Sequence, residues 1–327
     1  MNIKPWLAAL LAAPVMALTG CGGNDAQAAA SLPPALDVGN GIPEDIEVDG
    51  TRAFVSNLSD GSILQLDLTR GGVASAFVPA AKDAYTAAWG LKVLRSRNWL
   101  LSVQNPPYDF NPAHAGTGRV TAFDLATGAV VKRWNLPAQA VGNSIDVDAQ
   151  GRIYVGDVGP HPRILRIDPT TDALTTWATD ARWPEGGFGV GGMVLGNGGV
   201  YAALDNRLWF VGLAEDGSAR TAVPVQVEGD PVIFADGMRW TSGGIDYAEN
   251  DLFVAGAKGS VFRIEFTAST TARRSVLAQG LFDPSGVATA TVDGRSWLLV
   301  NESRLGYAVG TESGAPTLPY QVKAFRR

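Results

Sequence analysis

Two short patterns of apolar and polar positions recur along the chain. In the first, a polar residue precedes a branched apolar one, acidic residues and a turn follow, and an apolar run closes the phrase. It reads "PEDIEVDGTRAFVSN" (43–57), "GNSIDVDAQGRIYVGD" (142–157) and "GGIDYAENDLFVAG" (243–256). In the second, a turn residue and a small or basic residue lead into period-two alternation, the mark of a half-buried strand. It reads "GSILQLDL" (61–68), "GRVTAFDL" (118–125), "PRILRIDP" (162–169), "NRLWFVGL" (206–213) and "GSVFRIEF" (259–266). Successive starts lie 57, 44, 44 and 53 residues apart. Units of that size carrying several short strands are the signature of propeller blades. Residues 43–327 hold 285 positions, which at about 48 per unit makes six blades. The expected fold is all-β, a six-bladed β-propeller over residues 41–327.

The first phrase then supplies the innermost strand of each blade, with its opening residue at the mouth of the central channel. Counting two residues back from the branched apolar position gives Glu44, Trp89 ("AWGLKV"), Asn143 and Gly191 ("VGGMVL") for blades one to four, and Ser285 ("PSGVAT") for blade six. Blade five offers Asp236 ("ADGM") or Gly243 ("GGID"). The distance to the next phrase is 16 residues from Gly243 and 23 from Asp236, against 17 in blade one, 19 in three and 15 in four. That register favours Gly243 and leaves Asp236 on the loop entering the blade, at the same end of the channel. The repeated frame is scaffold; the changing first residue faces a shared axial site.

Composition narrows the function classes. The 39 glycines and 19 prolines point to many turns rather than long helices. A net charge of −6 without a basic run argues against nucleic acid, which is bound through clustered Lys and Arg. A single cysteine excludes an internal disulfide and a thiolate-rich zinc site. That cysteine, Cys21, has its own context. Lys4 precedes an apolar stretch, "WLAALLAAPVMAL" (6–18), of signal-peptide length and too short to span a bilayer. It runs into "LTGC" (18–21), which resembles the bacterial lipobox, whose cysteine is lipidated and becomes the first residue after cleavage. The alternative is an ordinary signal peptide cleaved near "AQAAA" (26–30). Residues 1–21 are thus expected to be a lipoprotein signal and 22–40 a flexible tether. Gly22 lacks the Asp associated with inner-membrane retention, so the expected location is the outer membrane, facing the periplasm. A monomer whose only membrane contact is the lipid anchor is expected.

The ring contributes one carboxylate, Glu44, one amide, Asn143, and a further carboxylate at Asp236. Oxygen donors without sulfur or clustered histidine suit a hard cation such as calcium; capping of strand ends is the alternative role. Trp89 is placed either to stack on a ligand or to plug the channel. His114 and His161 lie in Pro/Gly-containing loops that read as surface, and no serine sits in a G-x-S-x-G frame. Residues 105–117 lengthen the second blade by about a dozen residues, as lids and binding loops do.

The frame, the six units and the stretches "PEDI", "GNSIDVDAQGRIYVGD" and "ADGM" resemble the senescence-marker-protein/gluconolactonase-like propellers over roughly 42–327. The resemblance implies a divalent metal held by a Glu on the first blade, Asn residues on middle blades and an Asp on a later one. The metal would polarise a lactone carbonyl and the Asp help activate water. Glu44, Asn143 and Asp236 match three of these positions, with Asp236 as the catalytic residue and Asn143 also facing substrate; the second Asn falls at Gly191. The expected function is hydrolysis of a lactone or related ester. The rival is a non-catalytic propeller that binds a small molecule or protein, with no cofactor.

Overall fold

The computed structural model describes residues 32–107, 111, 115–229, 231–250 and 252–327. Six sheets follow one another around a central channel, so the protein is a six-bladed β-propeller. Their strands pair antiparallel except Gln226–Glu228, which adds parallel to the outer strand Thr271–Leu281 of blade five. In blade one the strands are Pro43–Asp49, Arg52–Asn57, Ile63–Asp67 and Val73–Val78, in that order from the axis outward. Blades two, three and four open with Ala87–Leu94, Gly142–Val147 and Met193–Gly196. Blade five opens with Ala235–Thr241 and blade six with Pro284–Val292. The first recurrent phrase is the innermost hairpin of blades one and three; the second is the third strand of blades one to five.

Blade five departs from the expected register. Gly243 lies in the tight turn between the first and second strands, with φ 75°, and "GIDYAE" is the second strand, Gly244–Glu249. Asp236 itself sits on the innermost strand. The count from Asp236 is long because the loop 250–258 between the second and third strands is long, not because an extra segment precedes the blade.

The ring is closed by the N-terminal part of the chain. Ala35–Asp37 pairs antiparallel with Gln321–Arg326 and forms the outer strand of blade six. Leu32, Leu36 and Val38 are buried in the same core cluster as Tyr320 and Val322. The tether expected to run to residue 40 therefore ends earlier, because alternate apolar side chains in this stretch find a sheet to cover. Cys21 and the expected signal segment lie outside the described residues. So do residues 108–110 and 112–114 of the long blade-two loop, including His114.

The blades hold each other through large side chains on their second strands. Phe54, Tyr154 and Tyr201 occupy equivalent positions, each opposite the residue three after the mouth position of the inner strand. Tyr247 lies one position off and packs in the same cluster as Tyr201. All four are fully buried, each contributing on the order of 1.5–3 kcal/mol of apolar transfer free energy. A second repeated device caps the mouth end of the second strands. Asp157 accepts from the Val141 and Gly159 N–H groups, and Glu302 accepts from the Phe282 N–H. Asn105 donates to the Gly142 carbonyl. In each case the end of a second strand is clipped to the segment entering a blade at the mouth.

Candidate functional site

The residues at the mouth are aimed by backbone irregularities. In five blades the innermost strand shifts register against its neighbour at the same place: between Pro43 and Ile46, Ala88 and Leu91, Gly142 and Ile145, Ala235 and Met238, and Pro284 and Val287. Glu44, Trp89, Asn143, Asp236 and Ser285 all lie inside these bulges. A bulge leaves a residue unpaired in the ladder and turns its side chain, which is why bulges occur beside sites. These five blades repeat the same local device and vary only the group it presents.

Three of these groups come together on one floor. Glu44, Asn143 and Asp236 share the floor of a cavity of about 370 Å³, together with Asn250, which follows the second strand of blade five. Gly191 and Trp89 line the same cavity. Trp89 is also part of the buried cluster between blades two and three, so its ring is wall and packing at once. Ser285 is not presented to the cavity floor: its hydroxyl donates to the Glu44 carbonyl at 2.6 Å and ties blade six to blade one. His161 stands on an exposed turn, 2.8 Å from Glu185.

The electrostatics are set by burial. Glu44 is held well above the ordinary carboxyl range, first by burial, then by the negative charges of Asp236 and Asp45, with Arg239 opposing. Asp236 is pushed up to about 7 by burial and the Asp45 charge, while hydrogen bonds from Asn143, the Gly237 N–H and Asn250 pull the other way. Two amides thus hold Asp236 in place. One oxygen of Glu44, Oε2, is buried and has no hydrogen-bond partner.

Beneath this floor lies a ring of charge. Three residues after Glu44, Trp89, Asn143 and Asp236 come Glu47, Lys92, Asp146 and Arg239. Arg239 donates to Asp45 at 2.8 Å, to Glu47 at 3.1 Å and to the Ile46 carbonyl at 2.8 Å. Lys92 pairs with Asp146 at 2.9 Å. The carboxylates also accept neighbouring-blade N–H groups: Asp45 from Leu91, Glu47 from Val93 and Asp146 from Leu195. Arg239 therefore joins the strands that carry Glu44 and Asp236.

The floor suits a hard divalent cation. Among the described residues no cluster of three or more His, Cys, Asp or Glu is arranged for a metal, but calcium sites are commonly built from mixed carboxylate and amide oxygens. Glu44, Asp236, Asn143 and Asn250 offer such oxygens, and the Glu44 Oε2 atom has no hydrogen-bond partner of its own. Asn250 is an amide on the same cavity lining, and it donates to the Pro284 carbonyl at 3.1 Å. It was missed because it follows a second strand, outside the first-strand phrase.

Fold and site define a class: a six-bladed propeller with a small-molecule-sized cavity at the channel mouth and two carboxyl groups on its floor. The chain is similar to the solved structure of the allergen Mala s 1 from Malassezia sympodialis, with a TM-score of 0.71 and 16% identity over 90% of this chain and 96% of that one. It is also similar to a regucalcin from Agrobacterium tumefaciens described as a calcium-binding protein, with a TM-score of 0.55 and 13% identity over 89% and 93% of the two chains. Virginiamycin B lyase from Staphylococcus aureus gives a TM-score of 0.54 and 13% identity over 82% and 83%. At these identities the likeness establishes the propeller fold. No family model and no curated protein matches the chain.

Proposed function

We propose that the channel mouth is a divalent-cation-dependent site for hydrolysis of a lactone or related ester. The observation that carries this reading is the buried, unpartnered Glu44 oxygen beside Asp236 at the floor of the cavity. A buried carboxylate oxygen without a donor is costly, and a bound cation removes that cost. Glu44, Asn143, Asp236 and Asn250 would hold the ion, and calcium fits their oxygen chemistry. A cation so bound supplies Lewis-acid polarisation of the substrate carbonyl. The chain's own contribution is position and proton transfer. Asp236, which the bound cation would hold ionised, is placed to take a proton from water. Asn143 and Asn250 fix its orientation, and Trp89 closes one wall.

The test is hydrolysis of simple lactones by the purified protein with millimolar calcium or manganese and with EDTA. Activity that requires the ion and is lost in Asp236→Asn supports the reading; activity unaffected by both rejects it. One observation favours a second reading, a ligand-binding propeller without turnover: Gly191 offers the cavity no side chain where the related frame carries an amide.

We also propose that Cys21 is lipidated and anchors the propeller to the outer membrane, facing the periplasm. The lipobox-like "LTGC" and the single cysteine support this.

A further inference from the structure

The cavity divides by chemistry. Its polar side chains gather at the floor, around Glu44 and Asp236. Its walls are Val158, Val232, Leu252 and three phenylalanines, Phe188, Phe234 and Phe253. The remaining polar side chains on the lining, Asp205 and Asn206, stand on an exposed turn of blade four. A polyhydroxylated sugar ring in this cavity would bury hydroxyls against hydrocarbon, and each hydroxyl without a partner is penalised.

The phenylalanines form a rim. Phe253 lies 5.8 Å from Phe188 and 5.7 Å from Phe234 between ring centroids. Phe234 and Phe253 nevertheless remain 40% and 45% exposed. Large aromatic surface left in water at the edge of a cavity marks a place that a ligand covers. Phe234 also has φ 41°, a backbone region that bulky residues rarely adopt. Such strain persists where the surroundings enforce it, and binding sites are where it collects. Here it sets an aromatic ring two residues from Asp236.

We propose that the ligand of this site is a neutral ester or lactone bearing an apolar tail, with its carbonyl at the floor and its tail among the three phenylalanines. The proposal rests on the reading of this cavity as the ligand site and narrows the substrate class from lactones and related esters in general to apolar ones. In the reaction, the oxygen of water bonds to the acyl carbon and the acyl–oxygen bond breaks. One proton of the water passes to the departing alkoxide oxygen, and the other stays with the new acid, which ionises.

The experiment uses γ-valerolactone, γ-octalactone and γ-undecalactone, with δ-gluconolactone as the polar comparison. Turnover is measured with calcium, and binding is measured by calorimetry in EDTA. In the wild type, kcat/KM or affinity is expected to rise about threefold or more per methylene over the first few added, and Phe253→Ser should flatten the series. Phe253 is exposed, so that variant is expected to fold; its melting temperature checks this. Tail-dependent binding without turnover upholds the apolar ligand class and removes the hydrolase reading. Turnover that is flat across the tails, or best with δ-gluconolactone, keeps the hydrolase and overturns the apolar class. Absence of saturable binding and of turnover for γ-undecalactone also overturns it.

Discussion

Arg239 is the residue on which the geometry of the floor most depends. Its guanidinium reaches both Asp45 oxygens at 2.8 Å, Glu47 at 3.1 Å and the Ile46 carbonyl at 2.8 Å, from the strand that carries Asp236 to the strand that carries Glu44. Replacing it by methionine keeps much of the volume but leaves the buried Asp45 carboxylate without its cation and Glu47 with only Lys92, at 4.0 Å. Removing one partner of a buried ion pair costs about 3–5 kcal/mol. At about 2.1 cal/mol/K of unfolding entropy per residue, a propeller of roughly 300 residues should lose about 5–8 °C in Tm. The site should change as well: the Arg239 charge opposes the rise of the Glu44 carboxyl, so its loss raises Glu44 further and weakens cation binding at neutral pH. Thermal denaturation and a cation titration of Arg239→Met read the two effects. The triple variant Arg239→Met, Asp45→Asn, Glu47→Gln should recover a large part of the Tm, because the uncompensated charge is gone. An Arg239→Met protein within 1 °C of the wild type would refute the claim that this residue staples the floor.

The remaining predictions concern charge, the ring and the anchor. Glu44 and Asp236 bind protons more tightly folded than unfolded, so their contribution to stability is largest at acid pH and is lost as pH rises toward and through about 7 for Asp236. In EDTA the Tm advantage of Asp236→Asn over the wild type should therefore grow from pH 5 to pH 8; an advantage that shrinks over that range contradicts the assignment. Gly191 is not at positive φ, and a Cβ there would stand 3.2 Å from the Ala235 carbonyl oxygen, so Gly191→Asn should be tolerated with a small adjustment. If its oxygen reaches the ion, affinity should rise roughly tenfold, about 1.4 kcal/mol; unchanged affinity in a titration places the side chain elsewhere. Cys21→Ala should release the protein from membranes or block its processing, and an unchanged membrane fraction and mature mass would defeat the lipid anchor.

Much of the fold is written in the strand alternation, because blades repeat and each repeat must bury one face. The third strands and the inner hairpins of blades one and three are legible for that reason. Blade five was misplaced because "GGID" imitates the opening frame while serving as a turn. Its dipeptide, Ser242-Gly243, has φ of 46° and 75°, like Asn197-Gly198 and Asp293-Gly294 in blades four and six. A residue-Gly pair between two apolar runs is a two-residue hairpin signal, and weighing it would have put Gly243 in the turn and Asp236 on the inner strand. The charged ring is also visible once the bulge is known, three residues after each mouth position. Asn250 was not, since its place depends on the course of the blade-five loop. The closing strand Ala35–Asp37 was hidden by its length, three residues among prolines and glycines; its partner lies at the other end of the chain. The apolar walls come from loops of several blades, which carry no periodicity to read.

The central claim is that Glu44, Asn143, Asp236 and Asn250 hold a divalent cation at the mouth of the channel. Calorimetric titration of calcium into the protein stripped with EDTA, at pH 8 where Asp236 is largely ionised, tests it most directly. The account predicts one ion per chain, proton release on binding that grows as the titration pH is lowered toward 6, where Asp236 is partly protonated, and loss of most of the affinity in both Glu44→Gln and Asp236→Asn. Absence of heat and of any Tm shift with millimolar calcium, manganese or zinc, or binding that survives both substitutions, would contradict it.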